Sequence, residues 1–158
     1  MVCSFFIIGG NEMKDYNGQI QYKDKTYNVV FNLNVMEAIQ AEYGTLDAWG
    51  SLTDGSEYAR KEYEKANQQK KNVVPWELLP DKEKKKYHGE PDAKAVIFGF
   101  REMLNEGIDI ENEEKGTDKQ PFTLKQVGRI ITEIGIANAT AKLNETVVAS
   151  TQSESKNE

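Results

Sequence analysis

The sequence contains little cysteine or histidine: one of each, together with four prolines, among 158 residues. A single cysteine excludes a disulfide within one chain and a cysteine-based zinc site, and a single histidine excludes a multi-histidine metal site. The apolar run from Val2 to Ile8 is far too short to span a bilayer and lacks the basic flank of a signal peptide. These absences predict a reducing-compartment protein without a transition-metal centre.

Basic residues are also in deficit, with 20 Lys and Arg against 26 Asp and Glu and a net charge of -6. Because phosphate contacts need clustered basic side chains, this balance does not favour nucleic-acid binding. The chain is 38% hydrophobic and long enough to bury a core. Composition therefore predicts one polar, acidic, globular domain.

Motifs that carry chemistry are absent. The sequence has no glycine-rich phosphate loop, no nucleophile elbow and no zinc-protease motif. His88 lies in the polar stretch KKKYHGE without a companion at a catalytic spacing, which favours a solvated side chain. The acidic residues of segment 109–118 do not follow the register of a calcium-binding loop. We therefore predict no catalytic residue, no metal site and no cofactor.

Residues 19–31 predict a β-hairpin. Apolar side chains alternate on both sides of a polar turn at Lys23–Lys25, which is the period of a half-buried strand. An isolated hairpin is marginally stable in water, so we expect it to pack on the helices that follow.

The stretch FNLNVMEAIQAEYGTLDAWG predicts two short helices. Asn34 is a suitable N-cap with Glu37 in the capping-box position, and Gly44 stands where a C-cap belongs. Thr45 is placed to cap the second helix, in which Trp49 is predicted to anchor the core.

Three further helices are predicted in the second half. Pro91 suits the first turn of a helix that we expect to end at Gly107, followed by an acidic loop over Ile108–Gln120. Thr123 and Gln126 form a capping box for the next helix.

Three glycines qualify this pattern. Gly135 is predicted to separate the last two helices. Gly99 and Gly128 fall inside helices, where each costs about 1 kcal/mol against Ala, and such glycines often permit close helix contact.

The predicted fold is α+β, mainly α: an N-terminal β-hairpin packed on about five helices in a single domain.

The domain boundaries follow changes in composition. We expect a single domain over residues 13–150 that contains an inserted polar segment at about 55–89, and a disordered tail at 151–158. Residues 1–12 have two interpretations. They are either a translated leader upstream of a natural start at Met13 or a genuine N-terminal strand.

The inserted segment carries the least ordinary motif, Trp76 with Leu78 and Leu79 between two prolines. Two interpretations remain open. The motif docks on its own chain, or it is an exposed anchor for a partner, since Trp and aliphatic side chains often dominate interfaces. The nearby segment Lys82–Lys86 is basic, but acidic residues interrupt it.

With these residues in view, the chain resembles the tail assembly chaperones of long-tailed phages and prophages. The likeness rests on the hairpin leading into FNLNVMEAIQAEYGTLDAWGSLTD, then EPDAKAVIFGFREMLNEGIDIENEE, PFTLKQVGRIITEIG and a terminal helix. The resemblance implies a small, largely helical, non-catalytic protein of the bacterial host cytoplasm that is absent from the mature virion. Its implied partners are the tape-measure protein and the tail-tube protein.

The resemblance supplies no active site, so candidate partner-binding residues come from the apolar pattern. They are Trp76, Leu78, Leu79, Leu143 and Val147. The amphipathic helices also suit self-association. The alternative function is that of a nucleic-acid-associated phage regulatory protein that uses the basic segment Lys82–Lys86.

Overall fold

A computed structural model describes the backbone of residues 17–156 and the side chains of residues 18–151. Both interpretations of residues 1–12 fall outside the described residues. The elements are β1 (Asn17–Tyr22), β2 (Lys25–Val30), α1 (Leu33–Tyr43), α2 (Leu46–Thr53), α3 (Ser56–Ala66), α4 (Asp81–Lys84), α5 (Ala93–Lys115), α6 (Leu124–Ile134) and α7 (Ile136–Lys156). The predicted α+β, mainly α class is confirmed.

The hairpin forms where alternation predicts it. Tyr22 pairs with Lys25 in the antiparallel register, which leaves a two-residue turn. Lys23 and Asp24 both have positive φ, 48° and 63°, as the type I′ turn of a right-twisted hairpin requires. The buried side chain of Val29 faces α5, so the hairpin is stabilised by packing on that helix.

The first helix begins two residues earlier than predicted. Asn32, and not Asn34, is the N-cap: its side-chain oxygen accepts a hydrogen bond from the N–H of Val35 at 3.2 Å. Asn34 instead donates its amide to Glu106 of α5 at 3.0 Å. An N-cap residue has extended backbone and precedes the first helical residue. Asn32 has that conformation, whereas Asn34 already lies within the helix.

The other predicted caps are confirmed. Gly44 follows α1 with φ 86°, and the Thr45 hydroxyl accepts from the N–H of Ala48 at 3.0 Å. Thr123 and Gln126 form both hydrogen bonds of a capping box. Side chains that satisfy free backbone groups at helix ends therefore set most of the boundaries.

The core is organised around α5, which packs on β2, α1, α2, α6 and α7. Trp49 is the predicted core anchor and is only 3% exposed. Its indole N–H donates to the carbonyl oxygen of Ala95 at 3.0 Å. A Cβ at Gly99 would overlap the six-membered ring of Trp49, so the glycine permits this approach.

The helix α5 does not end at Gly107, and the predicted loop from Ile108 is helical to Lys115. A Cβ at Gly107 would lie 2.7 Å from the carbonyl oxygen of Asn28 in β2. The glycine is therefore explained by close packing of the hairpin and not by termination. Gly116, with φ 65°, ends the helix.

The last helix also runs further than predicted. α7 continues to Lys156, so helical backbone occupies most of the segment 151–158 for which composition predicts disorder. Extension of an existing helix gains one hydrogen bond for each residue fixed, which is easier than nucleation. Asn157 and Glu158 lie outside the described residues.

Gly99 and Gly128 make a matched test of close packing. We expect Gly99→Ala to lower the free energy of unfolding by about 1–3 kcal/mol, because the new methyl group overpacks against Trp49. Gly128→Ala would meet only the Ile97 Cδ1 at 3.7 Å and should gain up to about 1 kcal/mol of helix propensity. Urea unfolding of both variants measures the difference. Equal effects would contradict the role of Gly99.

Candidate partner-binding surfaces

The predicted partner-binding residues lie in two parts of the structure. Trp76, Leu78 and Leu79 lie between α2 and α5, in residues 56–88, which are here called the arm. Leu143 and Val147 lie on α7, where they line an open groove against α2. The two groups therefore lie on separate surfaces, and their exposure to solvent differs.

The arm leaves and rejoins the body at one point. A Cβ at Gly89 would overlap the carbonyl oxygen of Gly55, so the two backbones touch at the base of the arm. Beyond this contact, the N–H of Asp92 donates to the carbonyl oxygen of Leu52 at 2.8 Å. Because its two ends meet, the arm is a closed loop built on the junction between α2 and α5.

Trp76 is the centre of the arm. Its ring lies 5.6 Å from the ring of Tyr63 and 6.1 Å from that of Tyr87, measured between centroids. The ammonium group of Lys84 sits over the indole at 5.7 Å. The Tyr63 hydroxyl also donates to the carbonyl oxygen of Val74 at 2.6 Å. Trp76 thus packs on its own chain, as one of the two interpretations of the motif predicts.

This packing leaves aliphatic side chains outside. Leu78, in the 3-10 turn Trp76–Leu78, is 73% exposed, and Val73 and Val74 are 38% and 48% exposed. Leu79 is partly buried. Of the predicted residues in the arm, Leu78 is the most accessible to another chain.

The groove on the body has a volume of about 720 Å³. Leu46 and Trp49 of α2 form one wall, and the other wall runs along α7 from Ala137 to Val147. Eleven helical residues span about 16 Å, or three turns. Leu143 is 1% exposed and belongs to the core, so it closes the floor and does not project.

The rim of the groove is partly acidic. Asp47 and Asp54 line its α2 side, whereas Thr140 and Asn144 line its α7 side. An apolar floor bordered by polar groups is the usual form of an interaction groove on a protein surface.

A carboxylate at the base of the arm has a perturbed pKa. The Tyr58 hydroxyl donates to Asp92 at 2.7 Å, and the N–H of Ala95 donates to the same carboxylate at 2.9 Å. The hydrogen bond from Tyr58, then those from the backbone, hold the pKa of Asp92 below its usual value. The same bond raises the pKa of the Tyr58 hydroxyl. Asp92 thus caps α5 and ties α3 to it.

The remaining polar candidates are the acidic run 109–118 and His88. Over residues 17–156, no three side chains of His, Cys, Asp or Glu are grouped as a metal site. Glu111, in the acidic run, pairs with Lys119 at 2.7 Å and with Lys115 at 3.6 Å, and these contacts lower its pKa. His88 is exposed at the end of the arm.

The sequence does not predict the groove, because the residues of its two walls are distant in sequence. The signal on α7 was limited to Leu143 and Val147, while the small exposed residues Ala137 and Ala141 also line the groove. The contact between Gly55 and Gly89 was not predicted either. Its only sequence signal is that the two glycines stand at the two ends of the polar segment.

Comparisons of the chain with protein-family models, with curated proteins and with solved structures found no match. None of the helices in the described part of the chain is both long and apolar enough to cross a bilayer.

The Tyr58–Asp92 hydrogen bond predicts a pH dependence of stability. Because the folded-state pKa of Asp92 is lowered, its stabilisation is present above the unfolded pKa of about 3.9 and is lost as pH falls through the folded value. We expect Tyr58→Phe to lower the melting temperature at pH 7 and to have little effect near pH 2. Thermal unfolding between these pH values measures the effect.

Tyr87→Phe is the control, since the Tyr87 hydroxyl has no hydrogen-bond partner within residues 18–151. A destabilisation by Tyr58→Phe that is equal at both pH values would show that the ionised carboxylate is not involved.

Proposed function

We propose that this chain is a non-catalytic tail assembly chaperone of a long-tailed phage or prophage. It binds the tape-measure protein during tail morphogenesis, in the bacterial cytoplasm, and is not part of the mature virion. The tail-tube protein is its second partner. The sequence resemblance suggests this role, and the groove between α2 and α7 supports it physically.

The groove is the observation that carries the proposal. It offers an apolar floor over about three turns of α7, open to solvent and bordered by Asp47 and Asp54. A helical client presents apolar side chains at positions i, i+3 or i+4, and i+7, which fit a groove of this kind. Binding would cover the apolar face of the client, and the acidic surface of the chaperone would keep the complex soluble.

The mode of action requires only protein contacts. Trp49 in the wall of the groove and Leu143 in its floor are held in the core, because both are almost completely buried. A preformed groove loses little conformational entropy when a client binds. The client exchanges an exposed apolar face, which would aggregate, for a covered one.

The alternative role in nucleic-acid binding gains no support from the basic segment Lys82–Lys86. Lys86 pairs with Glu83 at 2.9 Å and Lys84 lies over Trp76, which leaves Lys82 and Lys85 of the segment without such a contact among the described residues. Phosphate binding needs lysines that are free to converge on one backbone.

Co-expression with the long helical tape-measure protein tests the proposal. Wild-type chain should keep this client in the soluble fraction and co-purify with it. Ala141 is exposed and lines the groove, so Ala141→Arg places a long charged side chain there without disturbing the core. We expect it to reduce the recovered client by at least about tenfold, as loss of a central contact does.

The matched control is Val148→Arg, because Val148 is 44% exposed on the same helix but does not line the groove. It should retain the client. If wild-type chain neither solubilises nor binds the client, the chaperone role is wrong. If it binds and Ala141→Arg binds equally well, the client uses another surface.

A further inference from the structure

The arm has a charge opposite to that of the rest of the chain. Residues 67–88 contain six lysines against three acidic residues, a net charge of about +3, whereas the whole chain carries -6. Among the described residues, Lys70, Lys71, Lys82 and Lys85 form no ion pair. The arm thus joins exposed lysines to exposed aliphatic side chains in one short segment.

The aliphatic side chains are held outside by the packing of the arm. Trp76 is surrounded by Tyr63, Tyr87 and Lys84, so its aromatic surface is used within the chain. The hydrogen bond from Tyr63 to the carbonyl oxygen of Val74 fixes the adjoining backbone. Leu78 therefore stays 73% exposed on a segment that is anchored and not merely extended.

We propose that the arm is a second docking surface, which binds an acidic amphipathic helix of a protein partner. Leu78, Val73 and Val74 would contact the apolar stripe of that helix, and the unpaired lysines would contact its flanking carboxylates. Complementary charge raises the association rate and selects the partner, while the buried aliphatic contacts supply most of the affinity.

A protein helix fits this surface better than a nucleic acid. Single-stranded nucleic acids bind through aromatic faces on which bases stack, and the Trp76 ring already contacts Tyr63 and Lys84 of its own chain. Exposed aliphatic groups have no counterpart on a phosphate backbone but match the apolar face of a helix.

The arm surface is independent of the groove. Leu78, Val73 and Val74 do not line the groove. The arm meets the body at its base, where Gly55 touches Gly89 and Tyr58 is hydrogen-bonded to Asp92. The inference does not rest on the chaperone role, so failure of either proposal leaves the other standing.

A labelled synthetic peptide tests the proposal on the full-length protein. The probe is an amphipathic helix of about 20 residues with Leu at a, d and e positions and Glu elsewhere. Fluorescence anisotropy measures its binding at low and high salt. We expect saturable binding that weakens as salt is raised, whereas charge reversal in the arm should not weaken binding of a matched peptide with Lys in place of Glu.

Two arm variants locate the contact. Leu78→Ser removes the aliphatic anchor and Lys82→Glu with Lys85→Glu reverses the charge, all at exposed positions. Each should weaken binding of the acidic peptide by at least about tenfold. The control combines Leu124→Ser and Lys125→Glu, an exposed leucine and lysine on α6, and should stay within about twofold of wild type.

Three results would overturn the proposal. One is absence of binding to the acidic peptide, and another is binding that the arm variants and the α6 control alter equally. The third is tighter binding of a labelled single-stranded oligonucleotide, lost in the Lys82→Glu and Lys85→Glu variant, which would assign the arm to nucleic acid. Unchanged near-ultraviolet circular dichroism of every variant excludes unfolding as the cause of a loss.

Discussion

The close approach of Trp49 to the backbone of α5 is the contact on which the arrangement of the helices depends. The indole lies against Gly99 and donates its N–H to the carbonyl oxygen of Ala95, so its position is fixed both sterically and by a hydrogen bond. A buried Trp needs such a partner for its N–H. Because α2 is attached in this way, the end of α2 lies beside the start of α5, and both the groove and the base of the arm follow from that placement.

Close backbone contacts of this kind also occur elsewhere along α5. Near its start, Asp92 caps the helix, receives the Tyr58 hydroxyl and donates its own N–H to the carbonyl oxygen of Leu52. Further on, Gly107 allows β2 to pack directly on the helix. A single long helix therefore positions the hairpin at one end and the arm at the other, and glycines occur where backbone must come close.

Charge is divided unevenly over this framework. The chain is acidic as a whole, yet the outer part of the arm is basic and carries exposed aliphatic side chains. The groove on the body has acidic residues on its rim. Two surfaces with apolar centres and borders of opposite charge favour different partners, since like charges at an interface are costly.

The sequence by itself determined the features that act over three or four residues: the alternation of the hairpin, the capping box at Thr123 and the helical stripe that buries Trp49. It also predicted the mainly α class. Tertiary structure alone decided that Asn32 caps α1, that α5 passes through Gly107, and that Leu143 is a floor and not an anchor. It also decided that Trp76 packs against Tyr63 and Tyr87. The physical reason is that helix propensity and capping depend on residues three or four positions apart. The exposure of a side chain and the close approach of two backbones depend on residues that are distant in sequence, and a local pattern does not identify those residues.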